Sequence, residues 1–474
     1  MSLTFIFLAG ILLALIILTA LVSKIQASIG KGKNGFALDS PVLEKLKKEV
    51  AFTRNTLFAG TGILLLITLA ATYFSIKGTP LEGHFFEWLN LLVRWFHITI
   101  GIAWIGASFY FVFLENSLNR TKNLRGELAG NLWAIHGGGF YYLEKYKVAP
   151  KQIPAELHWF KYEAYFTWIS GICLLFIVYY FNAKAFLIDP NLLDISPLQG
   201  AAIGIGTLLS GWLIYDFLCK TPLLKKGWLF ALIGFLIATG FAYFLSQAFS
   251  PRAAYIHFGA MLGTIMAANV FFVIIPSQKA MVNAAKEGKS PDPRLGKYAG
   301  LRSLHNNYFT LPVLFVMISN HFPSTFGNPY NWAVLAAISL ASTGVKHFLN
   351  LLERGEYSVW ILPISICVLL GVVLATAPVV NQGECKSEVS FAEIYPIIST
   401  RCTPCHSAQP TDDVWSAPPN GVKYDTPEEV KKMAERIMQR VVVTKTMPQN
   451  NKTGMTPEER ELIRCWIEQG AEIL

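Results

Sequence analysis

The sequence predicts an all-α protein: a polytopic membrane helix bundle of about ten transmembrane helices, followed by a small helical domain outside the membrane. Three observations predict it. Hydrophobic residues fill 53% of the 474 positions and charged residues only 15%, against about 25% charged in an ordinary soluble domain. Ten apolar runs occur near 3–22, 56–75, 88–114, 163–182, 198–218, 227–248, 253–275, 302–320, 331–350 and 359–379. Each approaches the ~20 residues that cross a hydrocarbon core of about 30 Å. After residue 380 the composition turns polar, with 11 Lys and Arg and 14 Asp and Glu in residues 384–474. The expected division is a membrane domain over 1–380 and a separate domain over 381–474.

The first run, "MSLTFIFLAGILLALIILTALVSKIQ", has no positive residue ahead of it and no small-residue cleavage pattern at its end. It is expected to be a retained anchor rather than a signal peptide. The net charge of +9 has a topological explanation. Alternate connections (23–55, 115–162, 219–226, 276–302 and 346–358) hold 25 Lys and Arg, whereas the opposite set holds only Lys77, Lys184 and Arg252. By the positive-inside rule, the N-terminus and everything after residue 380 then lie on the outer side. The basic residues are therefore assigned to topology, and nucleic acid is not an expected partner. The lipid bilayer is.

A duplication is visible in the core. "HITIGIAWIGASFYFVF" from His97 and "HFGAMLGTIMAANVFFVI" from His257 each run from a histidine through small residues into aromatics. One helix later "YEAYFTW" (162–168) echoes "HNNYFTL" (305–311), and "IYDFLCK" (214–220) loosely echoes "VKHFLNL" (345–351). Two four-helix repeats, about 88–249 and 253–380, are expected to share one orientation because four is even.

The C-terminal residues carry the most specific chemistry. Helical patterning appears in "VSFAEIYPIIS", "TPEEVKKMAERIMQRV" and "MTPEERELIRCWIEQGAEI". The last two open with Thr-Pro-Glu-Glu: an N-cap, a proline at the first helical position and acids in the first turn. Cys402, Cys405 and His406 form Cys-x-x-Cys-His. In this pattern two thiols add to haem vinyl groups and the adjacent imidazole meets the iron. A zinc site would want a second paired motif, and the sequence has none. One covalent haem c is expected, with His406 as one iron ligand. A thioether suits the opposite side. Met447 lies in a Met-Pro loop before the final helix that resembles the ligand loop of small class I cytochromes c, with Met455 the alternative. Cys173, Cys219 and Cys367 fall in or near membrane runs as packing residues. Cys385 and Cys465 could pair in an oxidising compartment.

Anchoring a cytochrome needs one helix, so ten imply a further task. Polar groups at membrane depth are costly and mark functional candidates. Arg94 and His97 share one face of the third run, in its outer half, and His257 occupies the matching depth of the repeat partner. Three readings stand. The histidines hold a second, non-covalent haem b with Arg94 on a propionate; or Arg94 binds an anionic substrate while a histidine moves protons; or the histidines bond to neighbouring helices and the arginine snorkels outward. A second polar group is expected at the inner side: Glu115, His136, His158, Glu163, His305, Asn306, Asn307 and His347. His136 precedes three glycines, which permit close backbone approach to a ligand. The nearby aromatics Trp133, Phe140, Tyr141, Trp159 and Tyr162 suit either a planar ligand or an interfacial belt.

"EWLNLLVRWFHITIGIAWIGASFYFVFLENSL", "LWAIHGGGFYYLEKYKVAP" and "LHWFKYEAYFTWISGICLL" resemble segments of the bacterial membrane-bound urate hydroxylases, which join a multi-helix membrane domain to a C-terminal cytochrome c. The resemblance is strongest over about 84–182 and 250–320. It implies oxidation of urate to 5-hydroxyisourate in the bacterial plasma membrane. Electrons would leave through the haem c, on the periplasmic side, to a respiratory acceptor such as a soluble cytochrome or a terminal oxidase. Arg94, His97, His257, His305 and Asn306 are the expected catalytic residues. The short His97 segment, with Trp104 and Gly106, also resembles haem-handling membrane proteins related to protoporphyrinogen oxidation. Two other classes remain: a non-catalytic quinone-linked subunit with haem b and haem c, and a copper- or solute-handling protein with a redox sensor domain. The absence of methionine-rich outer loops weighs against copper.

Overall fold

A computed structural model describes residues 3–30, 40–79, 81–121, 124–150, 152–154, 156–377, 385, 388–415 and 417–473. The boundary expected at residue 380 lies outside the described residues. The chain divides into two compact units, Met1–Trp88 and Leu89–Leu474.

The first unit contains helices α1 (Leu3–Gly30) and α2 (Ser40–Ile76), which pack on each other, and the start of α3 (Leu81–Asn116). Tyr73 on α2 meets Phe86 on α3 edge to face, with ring centroids 5.6 Å apart.

The second unit begins within α3. A hairpin of β1 (Leu128–His136) and β2 (Gly139–Tyr146) follows. Next come α4 (Tyr162–Leu174), prolonged by a π-helical turn over Leu175–Tyr180, the one-turn α5 (Ala183–Phe186), α6 (Pro197–Lys220) and α7 (Gly227–Ala248). Then α8 (Pro251–Ala268) runs through a π-helical turn over Asn269–Ile274 into α9 (Ile275–Lys286). It is followed by α10 (Pro293–Ser319), the short α11 (Pro323–Phe326), α12 (Asn331–Glu353) and α13 (Ile361–Ala375). The C-terminal region holds α14 (Phe391–Arg401), α15 (Pro427–Lys432), α16 (Ala434–Ile437) and α17 (Pro457–Glu468).

Among the described residues, the apolar runs read from the sequence are largely helical. Among the described residues, seven helical stretches are long and apolar enough to cross a membrane: Lys48–Ile76, Leu81–Asn116, Tyr162–Tyr180, Pro197–Lys220, Gly227–Ala248, Pro251–Lys286 and Asn331–Glu353. The stretch Pro251–Lys286 is central: 67% of its apolar window is buried, against 6–33% in the others. A helix apolar all round belongs inside a bundle. Local signals set several starts. Ser196 caps α6 with a reciprocal Gln199 box and Pro197 at the first position, Ser250 caps α8, and Asp292 caps α10.

One element departs from the all-α expectation. The stretch read as an aromatic connecting loop is an antiparallel hairpin in which Trp133 pairs with Tyr142 and His136 with Gly139. Gly137 and Gly138 have φ of +58° and +79°. A two-residue turn with both φ positive matches the right-handed twist of the strands, and glycine alone adopts it without strain. The glycines after His136 therefore serve a turn, and His136 itself is exposed.

The C-terminal region has its own core. The apolar face of α14 (Phe391, Ile394, Ile397, Ile398) packs with Ile463 and Trp466 of α17, and the Phe391 and Trp466 rings lie 5.6 Å apart. Thr426 and Thr456 both form the capping boxes that Thr-Pro-Glu-Glu foretold. The helix expected over 426–441 is broken at Met433 and ends in a π-helical turn over Met438–Val443. Cys385 and Cys465 form a disulfide across 80 residues of sequence. Closing a loop of that length removes about 4 kcal/mol of unfolded-state entropy. The paired replacement Cys385→Ala with Cys465→Ala is therefore expected to lower the melting temperature of this region by many degrees, read by near-ultraviolet circular dichroism.

Candidate functional site

Chemistry-bearing residues lie at three places in the second unit: the C-terminal region, the α3/α4/α8 layer beside it, and the opposite ends of α6, α10 and α12.

In the C-terminal region the last turn of α14 leads directly into Cys402, whose amide donates to the Ile398 carbonyl at 2.8 Å. His406 N–H donates to the Cys402 carbonyl at 2.9 Å, so the motif is one compact turn. Cys402 and Cys405 are free thiols. Burial pushes Cys402 up to about 12 and Cys405 up to about 11. Burial also holds the His406 imidazole below its ordinary value, against the opposing pull of the Val422 carbonyl. His406 Nδ1 lies 3.1 Å from that carbonyl, which fixes the proton on Nδ1 and leaves Nε2 with a free lone pair. Met447 is half-buried in its loop, where its amide donates to Arg440 O (3.0 Å) and its carbonyl accepts from Arg460 Nη1 (2.8 Å). Met455 is instead packed into the core at 3% exposure. Two free thiols, an oriented neutral imidazole and an anchored loop thioether fit a c-type haem. Among the described residues no three His, Cys, Asp or Glu side chains converge as a metal centre, and a His/Met haem requires none.

The Met447 loop docks on the loop that follows α4. Asn450 Nδ2 donates to Ile188 O (2.9 Å), Asn191 Nδ2 donates to Asn450 O (3.1 Å), and Gln449 Nε2 donates to Ala185 O. Phe186 meets Trp415 edge to face at 5.8 Å, and Lys184 pairs with Asp413 at 3.4 Å. Ser250 holds the same loop from the other side, its Oγ donating to Phe186 O and its amide to Leu187 O.

Next to that loop lie Arg94, His97, His257, Tyr179, Tyr180 and Arg252. His97 Nδ1 donates to Thr167 O (3.1 Å) and Ser170 Oγ (2.9 Å), because Ser170 gives its own proton to Phe166 O. That tautomer leaves Nε2 able to take a proton. His257 is fully buried: Nδ1 donates to Ala253 O (2.8 Å) and Nε2 accepts from the Tyr180 hydroxyl (3.2 Å). A Cβ on Gly204 would come within 2.8 Å of His257 Nε2 and 2.6 Å of the Tyr180 oxygen. With both nitrogens engaged and helix backbone this close, His257 does not fit an iron-ligand role in this arrangement. The two histidines expected to be repeat equivalents are thus bonded differently: His97 bonds across to α4 through Nδ1, whereas His257 bonds within its own helix through Nδ1 and across to Tyr180 through Nε2.

His305 and Asn306 belong to a different group. Asn269, their neighbour, lies 12 residues beyond His257 on the α8 line, about 18 Å at ~1.5 Å per residue. The Tyr215 hydroxyl lies 2.8 Å from His305 Nδ1, and Asn269 Nδ2 donates to Tyr215 (3.1 Å) and to Asn306 Oδ1 (2.8 Å). Asn306 Nδ2 donates to Met266 O (2.9 Å), so both ends of this amide bond to α8 and the turn that prolongs it. Fully buried Arg302 donates to Asn269 Oδ1 (3.0 Å) and to Asp216 (2.6 Å). The inner polar group read from the sequence therefore separates into distinct pairs. Glu115 binds Arg120 and Lys145, His158 rests on the Phe160 ring, Asn307 accepts from Asn350, and His347 bonds Tyr308. Glu163 Oε2 is buried without a hydrogen-bond partner among the described residues.

The family model described as "Urate oxidase N-terminal" matches residues 83–377. The chain belongs to that family. No curated protein and no solved structure matches it. The matched span of this urate oxidase family member runs from α3 through α13 and so includes both polar groups of the helix bundle.

Several residues of this family member escaped the sequence reading. The alternating-connection count places Arg302 and Lys346 in basic connections, yet both are buried inside helices. Removing them leaves 23 basic residues on that side, so the asymmetry persists. Lys346 Nζ lies 4.0 Å from the Phe109 ring centroid and has no hydrogen-bond partner among the described residues. Tyr179, Tyr215, Asp216, Arg252 and Asn269 were also missed. The charged ones lie within four residues of a run's end, which hydropathy counts as loop, whereas Asn269 and the tyrosines carried no such signal.

Proposed function

We propose that this chain is a membrane-bound urate hydroxylase that converts urate to 5-hydroxyisourate and passes the electrons out through its own C-terminal haem. The supporting observation is the junction: helices of the urate oxidase family receive the Met447 loop of the Cys-x-x-Cys-His region directly on residues 185–191. The overall change is urate plus water to 5-hydroxyisourate, two protons and two electrons. Oxygen from water bonds to C5, and an external acceptor takes the electrons. A haem held by Cys402, Cys405, His406 and Met447 would take those electrons one at a time and hand them to a respiratory acceptor on the periplasmic side of the plasma membrane.

The chain's own residues supply the rest. Arg94 offers positive charge to an anionic purine. His97, with its proton fixed on Nδ1, presents Nε2 as a base for the departing protons. Tyr215, His305, Asn306 and Arg302 tie α6, α8 and α10 together and keep the bundle rigid.

Urate added anaerobically to the oxidised, purified protein is expected to reduce the haem, seen as growth of its reduced alpha band, whereas xanthine is not. A protein whose haem responds to dithionite but not to urate would overturn the reading and favour a non-catalytic electron-transfer subunit.

A further inference from the structure

We infer that Arg94, Arg252 and Tyr179 form one anion-binding site beside the C-terminal region, and that its occupant is the urate monoanion; the second part rests on the proposed function. Arg94 is held by Asn90, whose Oδ1 accepts from Nε (3.2 Å) and Nη2 (2.9 Å). Arg252 is held by Asn320, whose Oδ1 accepts from Nε at 3.0 Å. Neutral amides thus orient both guanidinium groups, and among the described residues neither has a carboxylate partner. The two arginines lie in each other's field, and both lie in that of Tyr179.

Tyr179 is 4% exposed, and among the described residues its buried hydroxyl has no well-formed hydrogen bond, although the Arg252 and Asn320 side chains lie close to it. Two cations and an unsatisfied phenol share a region of low dielectric. Like charges there repel strongly, and a buried hydroxyl left unpaired costs about 1–3 kcal/mol. An oxo anion relieves all three at once, accepting from both planar forks and from the phenol. The position suits an electron donor. The Arg252 guanidinium lies 5.9 Å from the Phe186 ring centroid, and Phe186 touches Trp415 of the C-terminal region.

A lipid phosphate has the same oxo-anion chemistry, so the test separates the two sources. The full chain, reduced by dithionite so that it accepts no further electrons, is equilibrated with radiolabelled urate in detergent free of anionic lipid. Wild-type protein is expected to bind urate; Arg252→Gln is expected to weaken binding at least tenfold and Tyr179→Phe about threefold. Phosphatidylglycerol added to the micelles is expected not to displace urate. Thermal melting and monodisperse elution check folding, and the isosteric Tyr179→Phe carries the test if Arg252→Gln does not fold. Urate that reduces wild-type haem yet binds both variants like wild type would overturn the site alone. Displacement of urate by phosphatidylglycerol would assign the site to lipid and overturn the proposal. Urate that neither binds nor reduces wild-type protein would overturn the proposed function, and this occupant with it.

Discussion

His406→Ala is expected to abolish urate-driven electron flow while leaving the membrane bundle folded. The substitution removes the nitrogen that the turn at Cys402 and the Val422 carbonyl together orient. Under the proposed function, Cys402→Ser with Cys405→Ser should have the same effect, because the two thiols that would bond the haem are gone. Met447→Ala is a milder case: covalent attachment survives, and the reduction potential falls because a thioether favours the reduced iron. Absorption spectra of the purified variants and a redox titration distinguish these outcomes. A normal alpha band and undiminished urate turnover in His406→Ala would rule out the ligand assignment. An unchanged potential in Met447→Ala would point to Met455, although that side chain is enclosed in the core.

Asp216→Ala is expected to destabilise the membrane bundle by about 3–5 kcal/mol, because it leaves a buried guanidinium uncompensated. Arg302 is fully buried on α10, and Asp216 on α6 is its carboxylate partner at 2.6 Å. Lys220 lies on the same carboxylate at 2.5 Å but is itself largely exposed, so its loss should matter far less. The double variant Asp216→Ala with Arg302→Met should recover most of the loss, since an apolar pair replaces a buried charge pair at little cost. Thermal unfolding in detergent measures both. A single variant that melts with the wild type would show that Arg302 reaches another anion or solvent.

What was legible in the sequence was whatever short-range chemistry dictates. Runs of apolar residues became helices because a helix satisfies its own backbone in lipid. Thr426 and Thr456 began helices where Thr-Pro-Glu-Glu said they would. The spacing of Cys402, Cys405 and His406 put the three on one compact turn. The hairpin was hidden because its aromatics also suit an interfacial loop, although Gly137-Gly138 between two aromatic runs was a readable turn signal. Partners far apart in sequence were not legible. Nothing near Tyr215 announces His305, 90 residues away, and nothing near Tyr179 announces Arg252. His257 shows the limit of repeat reasoning: its depth was inferred by analogy with His97, but its bonds depend on Gly204 and Tyr180, which the repeat pattern did not supply.

The docking of the Met447 loop has a kinetic consequence. Amide-to-carbonyl hydrogen bonds at Asn450, Asn191 and Gln449 hold it, and an exposed ion pair between Lys184 and Asp413 lies nearby. Neutral contacts of this kind are insensitive to salt, and an exposed pair contributes little. Tethering on one chain also replaces diffusional encounter by a high effective concentration. Under the proposed function, the hop from substrate to haem is then first order, indifferent to dilution and nearly so to ionic strength. The hop to the outside acceptor is second order and carries whatever concentration dependence the whole cycle shows.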